Sequence, residues 1–113
     1  MVILQINYRF QGMTRAEWEK RYTDAVGEKF LSVDGLVWKI WLDGQQENRV
    51  GGIYLFETQA KAEAYLGGPI VAGMKANPNV AELETRIFDV RERMSAITRA
   101  PVPGLTLAAI AAE

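Results

Sequence analysis

A lysine stands between two tryptophans in the segment Trp38-Lys39-Ile40-Trp41, the only charge within an apolar run. An amine held in apolar surroundings loses proton affinity and can act as a base. The plainer alternative is that its stem lies along apolar surface while the ammonium reaches water. If the run is a strand, Lys39 and Trp41 share one face and Trp38 takes the other. Trp38 is then expected in the core. Trp41 is expected at a pocket or a subunit interface, where an indole beside a cation can stack on a flat aromatic molecule and offer an N–H. Interface packing alone would also account for it. Asn7 and Arg9 alternate with Leu4 and Ile6. They are polar groups among apolar ones, which orient a ligand in a pocket or bond water and a partner chain at a seam. Tyr54 and Arg86 are expected on one face with Phe56 and Phe88. There a tyrosine could pass a proton to an oxygen intermediate and an arginine could hold an enolate or phenolate. The alternative for Arg86 is an ion pair with Glu82, or with Glu84 of another subunit. The candidate catalytic set is thus Asn7, Arg9, Lys39, Tyr54 and Arg86. The candidate substrate-binding set is Trp38, Trp41, Phe56 and Phe88.

The chain contains no Cys and no His. Disulfides, thiolate metal sites and a thiol nucleophile are excluded, as are the usual haem and zinc ligand and the usual neutral-pH base. No metal and no cofactor is expected. The 113 residues fit one domain, and a net charge of −1 gives no field for nucleic acid or anionic lipid. No apolar run reaches the roughly twenty residues of a membrane span. The chain starts directly on a strand pattern without a basic leader, so a cytoplasmic location is expected.

The elements that must position these residues follow from pattern. Val2 to Phe10 alternates as a strand. Thr14 and Glu17 form a capping box, with Met13 and Trp18 placed as a hydrophobic staple. The following helix is expected to carry Trp18, Tyr22, Ala25 and Val26 on one face. Asp34-Gly35 turns into a hairpin whose arms run from Gly35 to Asp43 and from Val50 to Phe56. On its first arm Leu36, Trp38, Ile40 and Leu42 are expected to point one way. Gly51-Gly52 lies within a strand, where it admits a close backbone approach or a bulge and not a nucleotide phosphate. Thr58 caps a second helix, which Gly67-Gly68-Pro69 breaks. A further helical piece runs from Pro69 to Lys75, and Asn77-Pro78-Asn79 turns into a last strand, Val80 to Val90. A short helix over Arg91–Thr98 and a tail over residues 101–113, docked or loose, complete the chain.

The order β-α-β-β-α-β is that of an α+β, ferredoxin-like domain over residues 1–100: a four-stranded antiparallel sheet with its helices on one face. Both faces of the hairpin are apolar, whereas a sheet with one wet face alternates. A second subunit is therefore expected to cover the bare face.

Gly35-Leu-Val-Trp-Lys-Ile-Trp41, Gly51-Gly-Ile-Tyr-Leu-Phe56, Ala62-Glu-Ala-Tyr-Leu66 and Ile87-Phe-Asp-Val90 resemble the YdhR-type monooxygenases. The resemblance is strongest from Gly35 to Val90. These belong to the dimeric α/β barrel group, beside the antibiotic biosynthesis monooxygenases. The resemblance implies a homodimer with two sheets facing around a barrel and a pocket between sheet and helices in each subunit. Relatives that degrade haem use a His, which this chain lacks, so that activity is not implied.

Two functions are expected to compete. One is cofactor-independent oxygenation of a small aromatic or polyketide-like molecule, whose own anion passes an electron to dioxygen. The other is a non-catalytic dimer that binds a small apolar or aromatic ligand. A barrel filled only by packed side chains is a third, blander outcome.

Overall fold

Strand alternation sorts the first nine-residue strand cleanly, and the rest of the sheet is hung on it. The computed structural model describes residues 1–111. In β1 (Val2–Phe10), Val2, Leu4, Ile6 and Phe10 are buried. Ile3, Gln5, Asn7 and Arg9 face the other way, as a period of two requires. β2 (Leu36–Gly44), β3 (Arg49–Phe56) and β4 (Val80–Asp89) complete an antiparallel sheet in the order β2-β3-β1-β4. This is the ferredoxin-like arrangement. Glu47 and Asn48 turn the β2–β3 hairpin in left-handed conformations, at φ 66° and 55°.

Helices cover one face. Ala62 and Tyr65 from α3 (Gln59–Leu66) and Val71 from α4 (Pro69–Ala76) pack on Val2, Leu4, Ile6, Tyr54 and Phe56. Thr58 accepts a hydrogen bond from the Lys61 N–H, and Pro69 opens α4, where its missing N–H costs nothing. The first crossover departs from the expected single helix. α1 (Arg15–Glu19) carries the Thr14–Glu17 capping box and ends within five residues. A second N-cap, Thr23, accepts from the Val26 N–H and starts α2 (Asp24–Lys29), which runs into a 3-10 turn, Phe30–Ser32. Thr23 is extended (φ −102°, ψ 158°), so the side chains on either side of it cannot lie on one helical stripe. Trp18 and Tyr22 still meet, through an indole N–H donated to the Tyr22 hydroxyl at 2.9 Å.

Two bulges reset the faces. Pairing skips a residue between Leu36 and Trp38, so Leu36 joins the helix-side core while Trp38, Ile40 and Leu42 point to the open face. The expected alignment of Leu36 with those three is corrected by this extra residue, Val37. A second shift, opposite Asn7 and Arg9, leaves Glu82 at φ 55° with its carboxylate on the Arg9 guanidinium at 2.9 Å.

After β4 come α5 (Glu92–Ile97) and α6 (Leu107–Ala111). The chain between them reaches the open face, where the Trp38 indole N–H donates to the Pro101 carbonyl at 2.8 Å. Leu55, the cross-strand neighbour of Trp38 on that face, is fully buried. The chain therefore shields part of the second face itself. Ile40 and Phe88, on the same face, remain 48% and 47% exposed. Ala112 and Glu113, the end of the expected tail, lie outside the described residues.

Candidate functional site

Lys39 pairs with Tyr54 across the hairpin, and Trp41 pairs with Gly52. All four therefore face the helices. Gly52 sets the geometry by having no side chain. A Cβ there would lie 2.8 Å from Lys39 Cε and 3.2 Å from Tyr54 Cε1. The empty volume lets the lysine stem lie flat on the sheet. Its Nζ ends 3.3 Å from the Trp41 ring centroid, 3.9 Å from that of Phe30 and 4.7 Å from that of Tyr54. Gly51 serves the neighbouring seam: a Cβ there would fall 2.1 Å from the Ile6 carbonyl oxygen, so β1 and β3 approach only because it is glycine.

The three rings come from separate elements. Phe30 is delivered by the 3-10 turn after α2, and its ring stands edge-on to Trp41 at 5.1 Å. Tyr54 is held in a cluster with Phe56 and Tyr65, centroids 6.3 and 5.3 Å away. Around them, between sheet and helices, lies a pocket of about 260 Å³ walled by Tyr8, Arg21, Lys29, Lys39, Trp41 and Met74 among others. Among the described residues no carboxylate lines it, while three cations do. It shares Tyr22, Val26 and Trp41 with an outer groove of about 550 Å³ along α2, whose rim includes Leu31, 85% exposed.

Burial pushes the Lys39 ammonium down to about pKa 7. The ring faces attract the charged form and act the other way. Among the described residues no carboxylate forms an ion pair with it. Burial pushes the Tyr8 hydroxyl up to about 12, with Tyr22 adding to the rise, and raises Tyr54 and Tyr65 as well. These phenols stay protonated at neutral pH. The pocket thus holds one amine able to take or give a proton near neutrality, hydroxyls that stay neutral, and flat ring surfaces.

The candidate residues divide between the two faces. Lys39, Trp41 and Tyr54 line the pocket. Phe56 shares their face but is fully buried, sealed under Tyr65, and does not wall the pocket. Asn7, Arg9, Trp38, Arg86 and Phe88 lie on the open face. The expectation that Tyr54 and Arg86 share a face is corrected. Leu4 pairs with both Tyr54 and Ile87, so Tyr54 is level with Ile87, and Arg86 is level with Gln5 on the reverse side. Trp38, expected in the core, is half-buried on the open face. Arg9 is engaged by Glu82, which also lies 3.5 Å from Arg49 and whose carboxyl the Arg9 hydrogen bond holds below its usual range. Phe30, Tyr8, Arg21 and Lys29 were not singled out from sequence. Arg21 lies over the Trp18 ring at 4.4 Å, in the turn between α1 and Thr23. Among the described residues no group of acidic side chains forms a metal-holding cluster.

The family described as "Putative mono-oxygenase ydhR" matches residues 3–101. The chain belongs to this family. Its ydhR fold is shared with solved structures of low identity. SnoaB, a cofactor-independent oxygenase from Streptomyces nogalater, superposes with a TM-score of 0.60 at 18% identity over 80% of this chain and 92% of that one. The heme-degrader MhuD from Mycobacterium tuberculosis, solved with two hemes in its active site, gives 0.58 at 21% over 79% and 95%. NE2512 from Nitrosomonas europaea, of unknown function, gives 0.65 at 16% over 80% and 88%. At such identities the likeness is one of fold, and fold does not fix chemistry. No curated protein gives a significant match. Among the described residues no helix is long and apolar enough to cross a membrane.

Proposed function

We propose that this ydhR-family protein is a cytoplasmic, homodimeric, cofactor-independent monooxygenase of small aromatic or polyketide-like molecules. Residues 1–100 form the working domain and residues 101–113 an extension. The observation that carries the reading is the Lys39 Nζ lodged among the faces of Trp41, Phe30 and Tyr54 in a pocket free of carboxylates among the described residues. A flat, acidic substrate such as an anthrone would slide between sheet and helices against Trp41. The neutral amine of Lys39 takes a proton from the substrate carbon, and the resulting ammonium, with Arg21 and Lys29, stabilises the anion. The anion passes one electron to dioxygen, and the radical pair combines at carbon as a hydroperoxide. Loss of water leaves a ketone, so one oxygen atom enters the product and the other leaves as water. The electrons come from the substrate. Arg9, Arg86 and Asn7 lie across the sheet and take their part at the dimer seam. The partner is a second copy, seated on the open face where Ile40 and Phe88 stay exposed.

Oxygen uptake with a panel of anthrones, dihydroxyaromatics and quinols tests this. Consumption is expected with at least one, falling by on the order of a hundredfold in Lys39→Met. No uptake above background across the panel overturns it. One observation favours the second reading, ligand binding without turnover: Lys39 Nζ lies among three ring faces and, among the described residues, has no carboxylate partner that could relay its proton. Native mass spectrometry of the purified protein separates the two, since an unchanged bound ligand in air means holding and an oxidised one means turnover.

A further inference from the structure

We propose that Lys39 is a covalent carbonyl-capture site, whose Nζ condenses with a flat aromatic aldehyde bearing a hydroxyl beside the carbonyl.

Three independent placements support it. The Lys39 stem lies in the space left by Gly52, and its nitrogen ends against three rings in the pocket wall. Among the described residues no carboxylate pairs with it, so no ion pair holds it as an ammonium. The pocket beside it has flat aromatic walls and two further cations, Arg21 and Lys29, which suit an aromatic body carrying a phenolate. A lysine desolvated in a hydrophobic pocket is the usual activated amine for this chemistry.

The step balances without an oxidant or reductant. The Nζ lone pair attacks the carbonyl carbon, a C–N bond forms and the carbonyl electrons move to oxygen, which is protonated. The nitrogen loses a proton, the C–O bond breaks and water leaves, giving C=N. The hydroxyl next to the carbonyl supplies the proton for the departing oxygen, and the phenolate so formed takes the remaining proton from the iminium nitrogen, which restores the hydroxyl and leaves the neutral imine hydrogen-bonded to it. The titratable and charged groups that line the pocket with Lys39 are Tyr54 on β3, Tyr8 on β1, Tyr22 and Arg21 in the first crossover, and Lys29 on α2. The tyrosines remain neutral, and the ring faces attract the charged form of the amine. Burial outweighs them, lowering the Lys39 pKa to about 7. The inference needs only the pocket and not oxygenation, so either can fail alone.

The test uses the full chain, limiting 2-hydroxy-1-naphthaldehyde and cyanoborohydride at pH 7, with the label mapped by peptide mass spectrometry. Five lysines and the terminal amine compete. Lys39 is expected to be labelled at least about tenfold faster than Lys20, Lys29, Lys61 or Lys75. Lys39→Arg, which keeps the charge but cannot condense, is expected to abolish the fast phase. Its fold is checked by circular dichroism. Mapping on the unaltered chain decides the matter even if that variant fails to fold. Label spread evenly over the lysines, or absent from Lys39, overturns the proposal. Fast labelling of Lys39 without any oxygen uptake supports capture and sinks the oxygenase reading. Uptake without labelling does the reverse.

Discussion

Lys39 carries its charge where water is scarce, and this has a thermodynamic consequence. Its folded pKa, about 7, lies below its ordinary value of 10.5. Between those values the unfolded chain binds more protons than the folded one, so stability rises with pH across that window. The cost of the buried ammonium is fully present below pH 7 and fades toward pH 10.5. Lys39→Met is therefore expected to gain about 1–2 kcal/mol at pH 6, and the gain should shrink by pH 9. Urea midpoints at the two pH values check this, and a gain independent of pH contradicts the lowered pKa. The adjacent glycines should respond differently. Gly51→Ala sets a Cβ 2.1 Å from a backbone oxygen and must part β1 from β3, costing about 3 kcal/mol or more in thermal unfolding. Gly52→Ala meets the flexible end of Lys39, so it should cost less than about 1.5 kcal/mol yet weaken ligand binding by on the order of tenfold, read by tryptophan fluorescence. Sequence alternation placed Lys39 and Trp41 together because both lie in one strand. It could not place Tyr54 against Arg86, because register belongs to pairs of strands and is set by backbone bonds invisible in either segment alone.

At the scale of elements, two caps were legible from a hydroxyl that opens a helical pattern. Thr14 with Glu17, and Thr58, perform the roles their positions implied. The break at Thr23 was not legible. Threonine is tolerated inside helices, and Trp18, Tyr22 and Val26 keep helical spacing across it, so local pattern favours continuity where the folded chain breaks the helix. That break builds the site: α2 walls the outer groove, and the turn after it delivers Phe30 to Lys39. Thr23→Ala removes the side-chain bond to the Val26 N–H, 3.3 Å long, and should cost about 1 kcal/mol. It should also raise hydrogen exchange over Asp24–Ser32 while leaving β1 and β3 protected. Uniform loss of protection, or none, would mean that α2 is not held by this cap. The bulge at Val37 escaped the sequence reading for a similar reason. One extra residue leaves the composition of the strand unchanged and moves only Leu36 to the other face.

For the whole molecule, the greasy hairpin announced that both faces of the sheet need cover, and the ferredoxin-like order followed from element sequence alone. What composition could not apportion was how much cover comes from the chain and how much from a partner. Trp38 and Leu55 are sheltered where the chain returns past Pro101. Ile40 and Phe88 are not. A homodimer through the remaining surface predicts that Phe88→Glu weakens self-association at least about tenfold in sedimentation velocity, with far-ultraviolet dichroism unchanged. A monomeric wild-type chain at micromolar concentration would contradict the pairing. It would leave the helix-side pocket intact, because every wall named for it comes from one chain.

The location of that pocket is the claim on which the functional account stands. Backbone and indole NMR shifts during titration with a flat phenol such as 1,4-dihydroxy-2-naphthoate test it most directly. The account predicts that the Trp41 indole N–H and the amides of Lys39, Gly51, Gly52 and Phe30 move together and saturably. Shifts confined to Gln5, Ile40, Arg86 and Phe88 would place the ligand on the open face and contradict it.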